Sequence, residues 1–145
     1  MVDVVRFRVV DAEDRAVVPE VGGRSLVEAV TLFETLEAYD PAGGYGELVP
    51  VSVRLGDLGA YFVGRAERQV PEAGRAWLLG CDCGDLGCWP LEARVEVGAD
   101  LVVWTGFAQP HRPDRTYAGF GPFVFDRDQY EAAVAAAVAE LAATS

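Results

Sequence analysis

Apolar Val5, Phe7 and Val9 alternate with Arg6 and Arg8 at the start of the chain, the period-two signature of a strand with one buried face. Ser25 followed by Glu28 forms a capping box, and Leu26, Ala29, Val30, Phe33 and Leu36 recur at helical spacing. Together they predict a helix from about Leu26 to Ala38. Asp40 to Gly46 then reads as a flexible loop, because Pro41 and three glycines punctuate it and no period survives. From Glu47 to Gly74 the pattern is mixed: Val51, Val53 and Leu55 alternate like a short strand, whereas Leu58, Tyr61 and Phe62 suit a helical turn.

The second half has clearer periods. Ala76 to Gly80 reads as a buried strand, and Leu91, Ala93, Val95 and Val97 alternate strictly with Glu92, Arg94 and Glu96. Gly98 to Asp100 makes a tight turn into a strand from Leu101 to Phe107, and a long loop from Ala108 to Pro122 leads into Phe123 to Phe125. Asp126, or alternatively Asp128, caps a long C-terminal helix whose Tyr130, Val134, Val138 and Leu141 form one apolar stripe. No linker divides the 145 residues, so the expectation is a single globular domain over 1–145. Its class is α+β: a mainly antiparallel sheet, a β-meander in the second half, with helices packed on one face.

Composition narrows the class of partner. With 23 Asp and Glu against 12 Arg, the formal net charge is −11. The acids are spread along the chain and leave no basic stripe for a polyphosphate, which argues against nucleic acid and towards a basic partner. Lys, Asn and Ile are absent from the chain, the residues encoded by A/T-rich codons, which points to a high-GC bacterial genome. The all-arginine cation set follows from the same bias. Asp3 near the start and the lack of a basic segment leading into an apolar one argue against a signal peptide, and the alanine-rich run from Ala132 to Ala139 is far short of a membrane span. The expected location is cytoplasmic, where the three cysteines are thiols or metal ligands before they are a disulfide framework.

One segment concentrates chemistry: Cys81, Asp82, Cys83, Gly84, Asp85, Leu86, Gly87, Cys88, Trp89 and Pro90, between two predicted strands. Thiolates on a glycine-bearing turn are a common way to hold a soft metal, and a closed zinc site wants four ligands. If the strands run up, down and up, the loops after Gly80 and after Phe107 share one end, which makes the sole histidine, His111, the natural fourth ligand beside Cys81, Cys83 and Cys88. Asp82 and Asp85 are poorer substitutes. Structural thiols or a disulfide involving Cys88 are the other readings of the motif. The loop from Gln109 to Tyr117 adds Arg112 and Arg115 next to His111, which read either as an anion clamp or as arginines paired with acids such as Asp114. Trp77, Trp89 and Trp104 lie on or beside predicted strands and read as core or edge-of-core residues. No Walker loop, GxGxxG, GxSxG or HExxH is present, so no catalytic residue is assigned.

At LGCDCGDLGCWPL (Leu79 to Leu91), WTGFAQPHRP (Trp104 to Pro113) and GPFVFDRDQY (Gly121 to Tyr130) the chain resembles a group of small uncharacterised proteins from actinobacteria and related bacteria. That resemblance covers about Ala76 to Glu131 and carries no activity, cofactor or site residue to any position. Two functions are then expected. The first is a non-catalytic domain that binds a protein partner or a small ligand, with the Cys81 to Trp89 and Gln109 to Tyr117 loops as one surface. The second is a small zinc-binding or thiol-redox protein using Cys81, Cys83, Cys88 and His111. The only cofactor considered is zinc, and a homodimer is the commonest assembly for a chain of this kind although no interface is marked.

Overall fold

Three strands precede the first long helix, where the hydrophobic period marked only one. The computed structural model describes residues 2–10, 15–49, 56–83 and 89–143. β1 (Val5–Val10) and β2 (Ala16–Val21) pair antiparallel, with Phe7 opposite Pro19, and β3 (Arg24–Ser25) adds a short edge to β2. β2 escaped notice because Ala16, Val17, Val18 and Pro19 are all buried, which erases the alternation, and because proline argues against a strand. Pro19 is tolerated for a geometric reason. Val17 exchanges both backbone hydrogen bonds with Leu48 (2.7 and 2.9 Å), on the side away from β1. Pro19, two residues on, turns its missing N–H the same way, where β3 pairs with Glu20 and Val21 and not with Pro19.

α1 (Leu26–Leu36) begins at Ser25, whose hydroxyl accepts from the Val27 amide at 3.2 Å. Its buried line is Leu26, Val30 and Glu34. Leu36, expected on the apolar stripe, is 77% exposed. At about 100° per residue it lies roughly 120° around the helix from the Leu26–Val30–Glu34 line, so the core position in the last turn falls to a glutamate. The loop expected at 40–46 contains β4 (Tyr45–Gly46), which pairs with Cys81 and Gly80. α2 (Leu58–Tyr61) supplies the helical turn expected there, with the Asp57 carboxylate accepting from the Gly59 amide; Val51, Val53 and Leu55 lie outside the described residues.

β5 (Arg75–Cys81), β6 (Leu91–Val97), β7 (Leu101–Ala108) and β8 (Phe123–Asp126) form the antiparallel meander, and β4 completes a five-stranded sheet in the order β4-β5-β6-β7-β8. The fold is α+β, built on two antiparallel sheets where one was expected. They meet at both edges: Leu48 bridges to Val17, and Asp3 bridges to Phe125, with the Asp3 amide donating to the Val124 carbonyl at 2.6 Å.

α3 (Arg127–Ala142) starts at Asp126, whose carboxylate accepts from the Gln129 amide at 3.0 Å. Gln129 then fastens the helix to β1: its amide group donates to the Val5 carbonyl (2.6 Å) and accepts from the Val5 N–H (3.1 Å). Tyr130 and Val134 turn inward as expected, but Ala137 takes the third buried position and Val138 stays 40% exposed. The centre of the core is aromatic. Phe7, Phe62, Trp104, Phe125 and Tyr130 pack with ring centroids 4.5 to 6.2 Å apart, and the Trp104 indole N–H donates to the Tyr130 hydroxyl. No helix among the described residues is long and apolar enough to cross a membrane.

Candidate functional site

Antiparallel connectivity puts the loops after β5 and after β7 at one end of the meander, where they meet the last turn of α1 and the 39–46 segment. The centre of that meeting is Glu34, fully buried on α1. Four donors converge on its carboxylate. The Gly43 amide reaches Oε1 at 2.7 Å, while the Tyr45 hydroxyl (2.7 Å), the Tyr117 hydroxyl (2.5 Å) and the Arg115 guanidinium (3.4 Å) reach Oε2. They come in two pairs, Gly43 and Tyr45 from the glycine turn leading into β4 and Arg115 and Tyr117 from the β7–β8 loop, so one carboxylate ties α1 to both segments. Gly43 takes part because φ of +79° is open to glycine, and a Cβ there would meet Thr31 Oγ1 at 3.0 Å.

Burial sets the electrostatics of this cluster. Desolvation, then the hydrogen bonds to Tyr117 and Glu34, hold the Tyr45 hydroxyl far above the ordinary phenol range. Tyr117 is pushed up to about 12, chiefly by burial and then by its bond to Glu34. Both tyrosines are therefore neutral donors to the carboxylate at any physiological pH.

Arg115 and Arg112, taken together in the sequence reading, occupy different environments. The Arg115 side chain is 5% exposed, donates to the Pro41 carbonyl (2.8 Å) as well as to Glu34, and lies over Tyr39 at 5.0 Å. Its acid partner is Glu34, 81 residues away, and no bond to Asp114 is made. Arg112 is half-buried, lying 4.7 Å over the Trp89 ring, and donates through Nη1 to the His111 carbonyl. Its remaining N–H groups carry no protein acceptor among the described residues. Trp89 is in turn fixed by its indole N–H donating to the Gly43 carbonyl (2.9 Å). Beside it a cleft of about 210 Å³ opens between Pro41, Gly44, Cys81 and Trp89, with Asp82 on its rim.

Cys81 is buried at the end of β5 and Cys83 is exposed in the turn that follows. The Cys83 amide donates to the Cys81 sulfur at 3.4 Å, and the Cys81 thiol reaches Asp82 Oδ1 at 3.7 Å. Cys88 lies outside the described residues. His111 is exposed, and its amide donates to the side-chain oxygen of buried Gln109. Among the described residues no three His, Cys, Asp or Glu side chains gather as a metal-holding group. Trp104 is fully buried, and Trp77 and Trp89 are partly so.

Sequence reasoning missed Glu34, Tyr39 and Tyr45. The signal for Glu34 was a charged residue on the Leu26–Val30 line of α1; the signal for Tyr45 was an aromatic inside a glycine-rich stretch read as a turn. Compared with protein-family models, curated proteins and solved structures, the chain matches none of them, so the site rests on its own geometry.

Proposed function

We propose that this is a cytoplasmic, non-catalytic binding domain whose recognition surface is the loop end carrying Trp89, His111 and Arg112, with Arg115 as its internal brace. One observation carries the reading: the fully buried Glu34 carboxylate of α1 ties together two connecting segments, 43–45 and 115–117, through two donors from each. A buried ion pair is seldom the most stabilising way to fill such a space, because apolar packing of similar volume does as well or better. Its return here is fixed geometry, which is what a recognition surface made of loops requires.

On that base Arg112 offers an aromatic-backed guanidinium edge to an acidic group of a partner. The net charge of −11 favours a partner that is basic overall, which the long-range field would steer in. Quantitative capture from cell lysate, comparing wild type with Arg112→Ala and Trp89→Phe, tests the reading. A partner retained by wild type and lost from Arg112→Ala at unchanged melting temperature is the expected result. Identical capture by wild type and Arg112→Ala, or none above background, overturns it.

A second reading is favoured by the Cys83 amide on the Cys81 sulfur, an outer contact of the kind that orients a metal-bound thiolate. Here Cys81, Cys83, Cys88 and His111 hold zinc or carry out thiol chemistry. Elemental analysis of protein purified without chelators should find about one zinc per chain, lost in Cys83→Ser, if this reading holds. Three thiols that titrate freely in metal-free protein sink the zinc form of this reading, and thiols that stay unreactive in the reduced, metal-free protein sink the thiol form.

A further inference from the structure

At the end of the meander marked by the β6–β7 turn, away from Trp89 and Arg112, a groove of about 450 Å³ opens between α2, α3 and β6. Its walls are Val63, Val97, Val134 and Val138. Tyr130 contributes only its ring, because its hydroxyl donates to the Phe62 carbonyl (2.5 Å) and accepts from the Trp104 indole. Along α3 the lining recurs from Arg127 to Ala139 at helical spacing, a stripe about 18 Å long. An open apolar groove of this length accounts for the 40% exposure of Val138, a residue the helical pattern assigned to the core.

Four charged residues line the groove, and three are committed. Asp57 caps α2 through the Gly59 amide, and Arg127 pairs with Glu131 at 3.5 Å while donating to the Gly98 carbonyl. Arg65 is exposed, and its guanidinium bonds to no partner among the described residues. Arg65 is thus the one cation of the groove with no acid partner among the described residues, and it stands at a wall of aliphatic side chains.

We propose that this groove binds a free aliphatic carboxylate of medium chain length, the chain along α3 and the carboxylate on Arg65. The volume lies in the range of small-ligand sites.

The test is titration of ¹⁵N-labelled protein with hexanoate, octanoate and decanoate, each kept below its micellar concentration, and with decanol as the uncharged comparison. Saturable shifts should centre on Val63, Val97, Val134 and Val138. Affinity should rise roughly tenfold for each pair of added methylenes, somewhat below the full-burial limit. Arg65→Ala should weaken decanoate about three- to fivefold, the size of an exposed ion pair, and leave decanol unchanged. Ala135→Trp, at an exposed position of α3, should close the groove and abolish binding without lowering the melting temperature.

Absence of saturable shifts overturns the proposal, as does an affinity independent of chain length or a decanoate-to-decanol ratio unmoved by Arg65→Ala. Binding only to vesicles containing fatty acid, or a dimer whose interface protects the groove amides, also overturns it, since the occupant is then a lipid surface or a second copy.

Discussion

Removal of the Arg115 guanidinium tests the brace beneath the loop end most directly. Arg115→Met keeps the length and apolar bulk of the side chain over Tyr39 but deletes the donors to Glu34 and to the Pro41 carbonyl. The side chains of the pair are 5% and 0% exposed, so water is not at hand to replace what is lost. Breaking a buried pair by deleting one partner costs about 3–5 kcal/mol. Glu34 keeps its bonds from Gly43, Tyr45 and Tyr117, and the Arg115 contact is the longest of the four, which places the expected loss at the lower end, about 3 kcal/mol.

For a chain of this size that corresponds to a fall in melting temperature of roughly 10 °C. The assay is urea unfolding at pH 7 for wild type, Arg115→Met, Glu34→Gln and the double variant. If the two groups act on each other, the double variant loses at least about 1 kcal/mol less than the sum of the single losses. An Arg115→Met loss below about 1 kcal/mol, or strict additivity in the double variant, would refute the argument that this ion pair braces the loops.

Two further outcomes are expected. Gly46→Ala should cost about 1–3 kcal/mol and loosen the β4–β5 pairing in hydrogen exchange, because a Cβ there would sit 2.9 Å from the Cys81 carbonyl oxygen and 3.0 Å from Asp82 Cα, both backbone atoms; wild-type stability in that variant would contradict it. Tyr117, neutral in the folded state up to about pH 12 against an ordinary value of 10.0, contributes stability that is complete below pH 10 and is lost as pH rises from there to about 12, since only the unfolded chain releases the proton in that window. Burial raises Tyr45, Tyr61 and Tyr130 in the same direction, so ultraviolet titration of the folded protein should show these four hydroxyls protonated at pH 10.5, and their ionisation there before unfolding would count against the buried cluster.

Local patterning was enough for every element whose burial is one-sided. The alternation in β1 and β6, the caps at Ser25 and Asp126 and the tight turn at Gly98 to Asp100 are short-range features written in adjacent residues, and they placed the α+β class and the meander. Tertiary structure decided whatever depends on what a segment packs against. β2 is buried across four successive residues and so lacks a period; Leu36 and Val138 are apolar by sequence and exposed because of the faces their helices present.

The site divides along the same line. Arg112, Arg115, His111 and the cysteine loop could be found as dense local chemistry. Glu34 could not, because a carboxylate is stable in a core only where donors surround it, and its donors arrive from Gly43, Tyr45, Arg115 and Tyr117 through the fold alone. The sequence by itself determined the strands with one buried face, such as β1 and β6, the caps and the charge of this protein. The tertiary structure decided which of its charged groups are buried, since burial is a property of distant partners and not of neighbours along the chain.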